Sequence, residues 1–169
     1  MPIATDISPS VLAKLTSIYE EIMWLAQRPN IKPAAARAWY THIAHLGVRR
    51  DIRRFTGKVS REAAADDASA LRLEHFKRIQ TTLTQLVAKH IESGAHDCTE
   101  FINIVIDFEQ VHIVTSSENY AAMKAKGDYA IAGIDLLDWS ELPTERRRVL
   151  WKKVLNGKVS NSRDFVTEA

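Results

Sequence analysis

Cysteine is nearly absent from this chain: Cys98 is the single one in 169 residues. One thiol cannot close an internal disulfide, and it excludes a zinc site built from several thiolates. A reducing compartment suits such a chain, so a cytoplasmic location is expected. Long apolar runs are also missing. None approaches the roughly 20 residues that span a bilayer, so no membrane partner is expected. The first residues, Met1-Pro2-Ile3-Ala4-Thr5-Asp6, lack the basic start and apolar stretch of a secretory signal. The turn after Val114 holds no glycine and no lysine–serine pair, so it does not support a nucleotide loop, and capping accounts for Thr115 and Glu118.

What is present is ordinary globular material. Hydrophobic residues make up 46 % and charged residues 26 %, which argues against global disorder. The length suits one compact domain over residues 1–157, with a helical half at about 8–68, a second half at about 69–157 and a loose tail at 158–169.

Apolar spacing predicts helices. Ser8-Pro9 opens the first, and Val11, Leu12, Leu15, Ile18, Tyr19, Ile22 and Leu25 form its buried stripe. Pro33 opens a second through Trp39, Ile43 and Leu46, stopped by Gly47. A short third helix is expected from Val48 to Phe55, then a connection over 57–69. A long helix is expected from about Ala70 to Ser93, and a fifth, apolar nearly all round, from about Thr99 to Glu109. Val111–Val114 reads as a strand, Thr115–Glu118 as a capping box, and Ile134–Trp139 as a second strand parallel to the first. A last helix covers Pro143 to Asn156. The expected fold is mainly α, with a small strand–helix–strand element. The alternative is an all-helical bundle in which both strands are extended connections.

Net charge is only +2, but it comes in blocks. Between Arg37 and Arg61 the bases Arg37, Arg49, Arg50, Arg53, Arg54, Lys58 and Arg61 face one acid, Asp51. Residues 62–109 are predominantly acidic. Then Arg146, Arg147, Arg148, Lys152, Lys153 and Lys158 face Glu145 alone. Basic blocks attract polyanions whatever the total charge. With Trp39, Tyr40 and Trp151 nearby, they suggest a nucleic-acid-associated protein with no catalysis assumed. The expected phosphate contacts are Arg49, Arg50, Arg53, Arg54, Lys58, Arg146, Arg147, Arg148 and Lys152. The bland alternative is two solvated basic faces, or pairing with the acidic middle. The second and third helices around Gly47 bear a faint likeness to a helix-turn-helix. The other functional reading is a protein-interaction module or homo-oligomer.

Two resemblances point to nuclease chemistry. His90, Asn103 and His112 fall in the order and rough spacing of the signature that the HNH nucleases carry, and Glu74-His75 beside Lys77 and Arg78 resembles the Glu–His pairs of such enzymes. That resemblance implies two strands and a helix around one divalent metal ion, with a histidine activating water; Glu74, His75 and His112 are the candidate residues. No other cofactor is expected. Arg37 and His42 have a spacing similar to that of the HEPN ribonucleases, with Ala38 where that family prefers a polar residue. This resemblance implies a metal-independent pair completed across a helical dimer, although five residues on an α-helix turn side chains about 140° apart.

Overall fold

The computed structural model describes residues 7–65 and 70–166. The protein is mainly helical with a four-stranded mixed sheet. The chain divides into two compact units, each built from separated stretches. A helical unit takes the chain up to Ile52 and again over Arg78–Phe108, and a sheet unit takes Arg53–Lys77 and the chain from Glu109.

The helical unit begins with α1 (Pro9–Ala26). The Ser8 hydroxyl accepts the Val11 N–H, and Pro9 occupies a position where no amide proton is needed. α2 (Pro33–Trp39), a π-helical turn (Tyr40–Ala44) and α3 (His45–Ile52) follow as one continuous helix. The expected stop at Gly47 therefore does not occur. Gly47 lacks the left-handed backbone that ends a helix there, and without a turn the likeness to a helix-turn-helix disappears. α5 (Ile79–Ser93) does end on such a residue, Gly94, at φ 67°. α6 (Cys98–Phe108) starts where the Asp97 carboxylate accepts the amides of Thr99 and Glu100. Leu15, Ile22, Leu83, Phe101, Ile102 and Val105 form the centre of this core. Trp24 on α1 is 60 % exposed.

A polar chain runs from the surface into this core. Lys89 and His90 donate to Glu100, at 3.0 and 3.2 Å, and hold its carboxyl below the usual range. His90 Nδ1 then accepts the Tyr19 hydroxyl at 2.7 Å. Burial keeps that hydroxyl protonated, with its pKa pushed up to about 12.

The sheet unit contains β1 (Arg54–Ser60), α4 (Arg61–Ala65), β2 (Leu71–His75), β3 (Gln110–Thr115), α7 (Ser116–Lys124), α8 (Tyr129–Ala132), β4 (Leu136–Asp138) and α9 (Thr144–Leu150). A second π-helical turn, Trp151–Leu155, extends α9. The strand order is β2-β3-β1-β4. β1 and β3 pair in parallel, whereas the two edge strands pair antiparallel with their neighbours. The two expected strands, now β3 and β4, are therefore separated by β1 and run in opposite directions. The reason is that β1, expected as the end of a helix and a connection, and β2, expected as the start of the long helix, are strands. Arg54 and Phe55 take ladder positions opposite Gln110 and Val111, so the third helix ends at Ile52 rather than Phe55. Leu71–His75 pair along β3, so the long helix expected from Ala70 begins only at Ile79. Residues 66–69 of the expected connection lie outside the described residues.

One sheet face is apolar. Phe55, Val59, Val111 and Ile113 pack with Trp139, Leu142, Leu150, Val154 and Leu155. The expected loose tail is bound instead. Asn161 accepts the Phe55 amide and donates to the Phe55 carbonyl, each at 2.9 Å, while Val159 is buried and Phe165 packs on Phe55. A two-way amide clamp and a filled apolar site outweigh the entropy of a free tail. Residues 167–169 lie outside the described residues. No described helix is long and apolar enough to cross a membrane.

Candidate nucleic-acid interface and polar sheet face

β2 is an edge strand, and its outer side borders a basic groove. The Ser116 amide donates to the Ala70 carbonyl at 2.7 Å. Alternation along an antiparallel pair then turns the amides of Arg72 and Glu74 toward β3 and those of Leu71 and Leu73 outward. Leu71 and Leu73 line a cavity of about 500 Å³ together with Arg53, Arg72, Val154, Lys153 and Lys158. Four of its lining residues are cationic and none is acidic. Among the described residues, Arg72, Lys153 and Lys158 have no carboxylate partner. Arg72 reaches only the Leu71 carbonyl, and Lys158 donates to the Lys153 carbonyl at 2.8 Å. Arg53 differs: its Nε lies 3.5 Å from Glu109, which also meets His75 Nε2 at 3.0 Å.

The structure thus redistributes the expected contacts. Arg49 and Arg50 belong to α3 in the helical unit, while Arg53, Arg54 and Lys58 belong to the sheet unit. Lys58 is paired with Asp138 at 2.7 Å and Arg148 with Glu145 at 2.7 Å. Arg146 donates to the Ala63 carbonyl and Arg147 to the Thr144 hydroxyl. Lys152 is exposed and shares a second cavity, about 340 Å³, with Arg148, Trp151, Asn156 and Val166. Arg72 escaped the block reading because it lies in the acidic stretch. Its signal was the alternation Leu71-Arg72-Leu73-Glu74.

No known family, curated protein or solved structure matches this chain. Its chemistry must be read from its own geometry.

Of the nuclease candidates, Glu74 and His112 share the opposite face of the sheet. Glu74 and His75 sit on β2, not early in a helix, and successive residues of a strand face opposite ways. Glu74 pairs in register with His112, and both are buried. His75 turns instead to Glu109. His90 and Asn103, the other members of the HNH-like triplet, lie on α5 and α6 of the helical unit, where both His90 ring nitrogens already have protein partners. Arg37 and His42 are not drawn into a pair. The Arg37 guanidinium binds Thr41 at 3.0 Å and Thr84 at 3.3 Å, while His42 is exposed.

His112 is held by a feature that the sequence reading missed. Between Phe55 and Val59 the register on β3 advances only from Val111 to Ile113, so β1 bulges at Thr56–Lys58. Gly57 makes the bulge possible at φ 81°. Thr56 then reaches His112 Nδ1 at 2.6 Å and donates its single proton to the Val111 carbonyl at 3.2 Å. The 2.6 Å contact to the Thr56 hydroxyl fixes the orientation of the imidazole ring. Phe76 stacks on the ring at 4.4 Å, and Tyr129 meets it edge-on at 5.6 Å.

Burial, aided by Lys58, lowers the His112 pKa from 6.5 to about 4. The unfolded chain thus binds an extra proton between those two values. The stability from neutral His112 is fully present above pH 6.5 and lost as pH falls toward about 4. Urea unfolding at pH 7 and pH 5 should show this as a loss of at most about 2 kcal/mol. His112→Gln should remove that component, and an unchanged pH dependence in the variant would refute the assignment.

Proposed function

We propose that the protein associates with nucleic acid and binds phosphates through the groove beside β2. The observation that supports this is a cavity lined by Arg53, Arg72, Lys153 and Lys158 with no acidic lining residue. Cations without carboxylate partners are screened by mobile ions, and a phosphate chain that displaces those ions gains their release. The outward amides of Leu71 and Leu73 add donors that a phosphate oxygen can accept. The reading retains a cytoplasmic setting, which the single cysteine suits. The test is a titration of labelled nucleic acid at several salt concentrations. Affinity should be present at low salt and fall linearly on a log–log plot; absence of binding at low salt, or insensitivity to salt, would refute it.

A second reading, cleavage of the bound strand, is favoured by one observation: the register sets Glu74 across from His112. An imidazole that burial keeps neutral can accept a proton from an attacking water, and the buried carboxylate of Glu74 across from it suits a polar reaction site. Cleavage assays with and without Mg²⁺ on wild type, His112→Ala, His75→Ala and His42→Ala decide this. The His112 variant should lose about 100-fold or more of its activity, and the His75 and His42 variants much less. Undetectable cleavage by the wild type, or equal activity in all variants, would remove the reading.

A further inference from the structure

The π-helical turn after α9 has cavities on both flanks. Lys153 and Val154 line the groove beside β2, while Trp151 and Lys152 line the second cavity. Lys152 and Lys153 are adjacent residues, so their Cα atoms lie only about 3.8 Å apart and the cavities share one helical segment. A π-helical turn contains one more residue per hydrogen-bonded ring than an α-helix, and such turns recur at functional sites. The second cavity has what the first lacks. Trp151 presents an indole whose position is fixed by donation from Nε1 to the Ser162 carbonyl at 2.8 Å. At about 340 Å³, the cavity is small, partly apolar and flanked by Lys152 and by Arg148, which is paired with Glu145.

A groove for phosphates beside an aromatic cavity is what an unpaired strand requires. Its bases are free to leave the backbone and stack, whereas duplex bases are already stacked and paired. Duplex recognition would instead want an element that enters a groove and polar side chains that read base edges. The cations of the basic groove lie along a strand edge and the flank of a helical turn.

We propose that the preferred ligand is single-stranded nucleic acid, with phosphates on Arg72, Lys153 and Lys158 and one base stacked on Trp151. This rests on the nucleic-acid reading above and specifies its substrate class. The experiment is fluorescence anisotropy at low salt with a labelled 12-nucleotide oligothymidine and a labelled 12-base-pair duplex, using the full chain. The single strand should bind about tenfold or more tightly than the duplex. Trp151→Leu should weaken single-strand binding by about tenfold and leave duplex binding unchanged, as expected for loss of one stacked base. Trp151→Phe keeps an aromatic face, so it should retain most of the affinity; if the leucine variant fails to fold, photocrosslinking of a 5-iodouracil-substituted single strand to the wild type should give an adduct on Trp151, and its absence removes the stacking site. Binding to neither probe overturns the nucleic-acid reading itself. Equal or tighter binding to the duplex overturns only the single-strand preference. A single-strand preference that survives Trp151→Leu in a folded protein removes the stacking site.

Discussion

Replacing Arg72, Lys153 and Lys158 together by alanine should lower nucleic-acid affinity more than tenfold at 0.1 M salt and flatten its salt dependence. Each lost phosphate contact removes about 0.7–0.9 from the log–log slope, so three should remove about 2–3. The same change should cost little stability. None of the three has a carboxylate partner among the described residues, and surface substitutions of this kind usually stay within about 0.5 kcal/mol. Lys58→Ala is the informative comparison. Lys58 belongs to the first basic block but is held by Asp138 at 2.7 Å, so its removal should change the slope by clearly less than one. If Lys58→Ala matches the triple variant, charge blocks rather than the groove control binding. An unchanged slope in the triple variant would remove the groove from the account.

Phe101→Ala should be the most damaging single substitution for the helical unit, costing about 3–5 kcal/mol. Phe101 is 1 % exposed and packs against Tyr19 at 5.5 Å and Tyr40 at 5.8 Å between ring centres. Truncation leaves a void where α1, the π-helical turn and α6 meet. It also takes away the wall behind Tyr19, whose hydroxyl feeds the His90–Glu100 chain. Small domains hold only about 5–15 kcal/mol in total, so the variant should unfold at a much lower urea midpoint. A loss below about 1 kcal/mol would show that these rings are not packed as described.

The helical half was the more legible part. α1 announces itself because burial on one side of a helix repeats every three to four residues over many turns, and α6 because its residues are apolar nearly all round. The capping box at Thr115 and Glu118 was also visible, since it is a local pattern, and the structure bears it out. The sheet was half hidden. β1 contains a glycine, a bulge and four charged or hydroxyl side chains, so it shows no clean alternation. β2 was absorbed into a helix because Leu73, Phe76 and Ile79 imitate helical spacing across the boundary. Long-range pairing with β3 decides both cases, and no local window contains it. The candidate site suffered in the same way. Thr56 and His112 are 56 residues apart, and only the bulge joins them.

The Asn161 clamp on Phe55 has a consequence for how the protein is made. The two residues are separated by 106 positions, so β1 is fastened by a side chain synthesised long after it. During translation β1 must wait for β3, which arrives only after α5 and α6, and then for the clamp. The sheet unit therefore matures only once Asn161 has left the ribosome, and over that interval the apolar face of β1 lacks its cover and depends on dilution or chaperones to avoid aggregation.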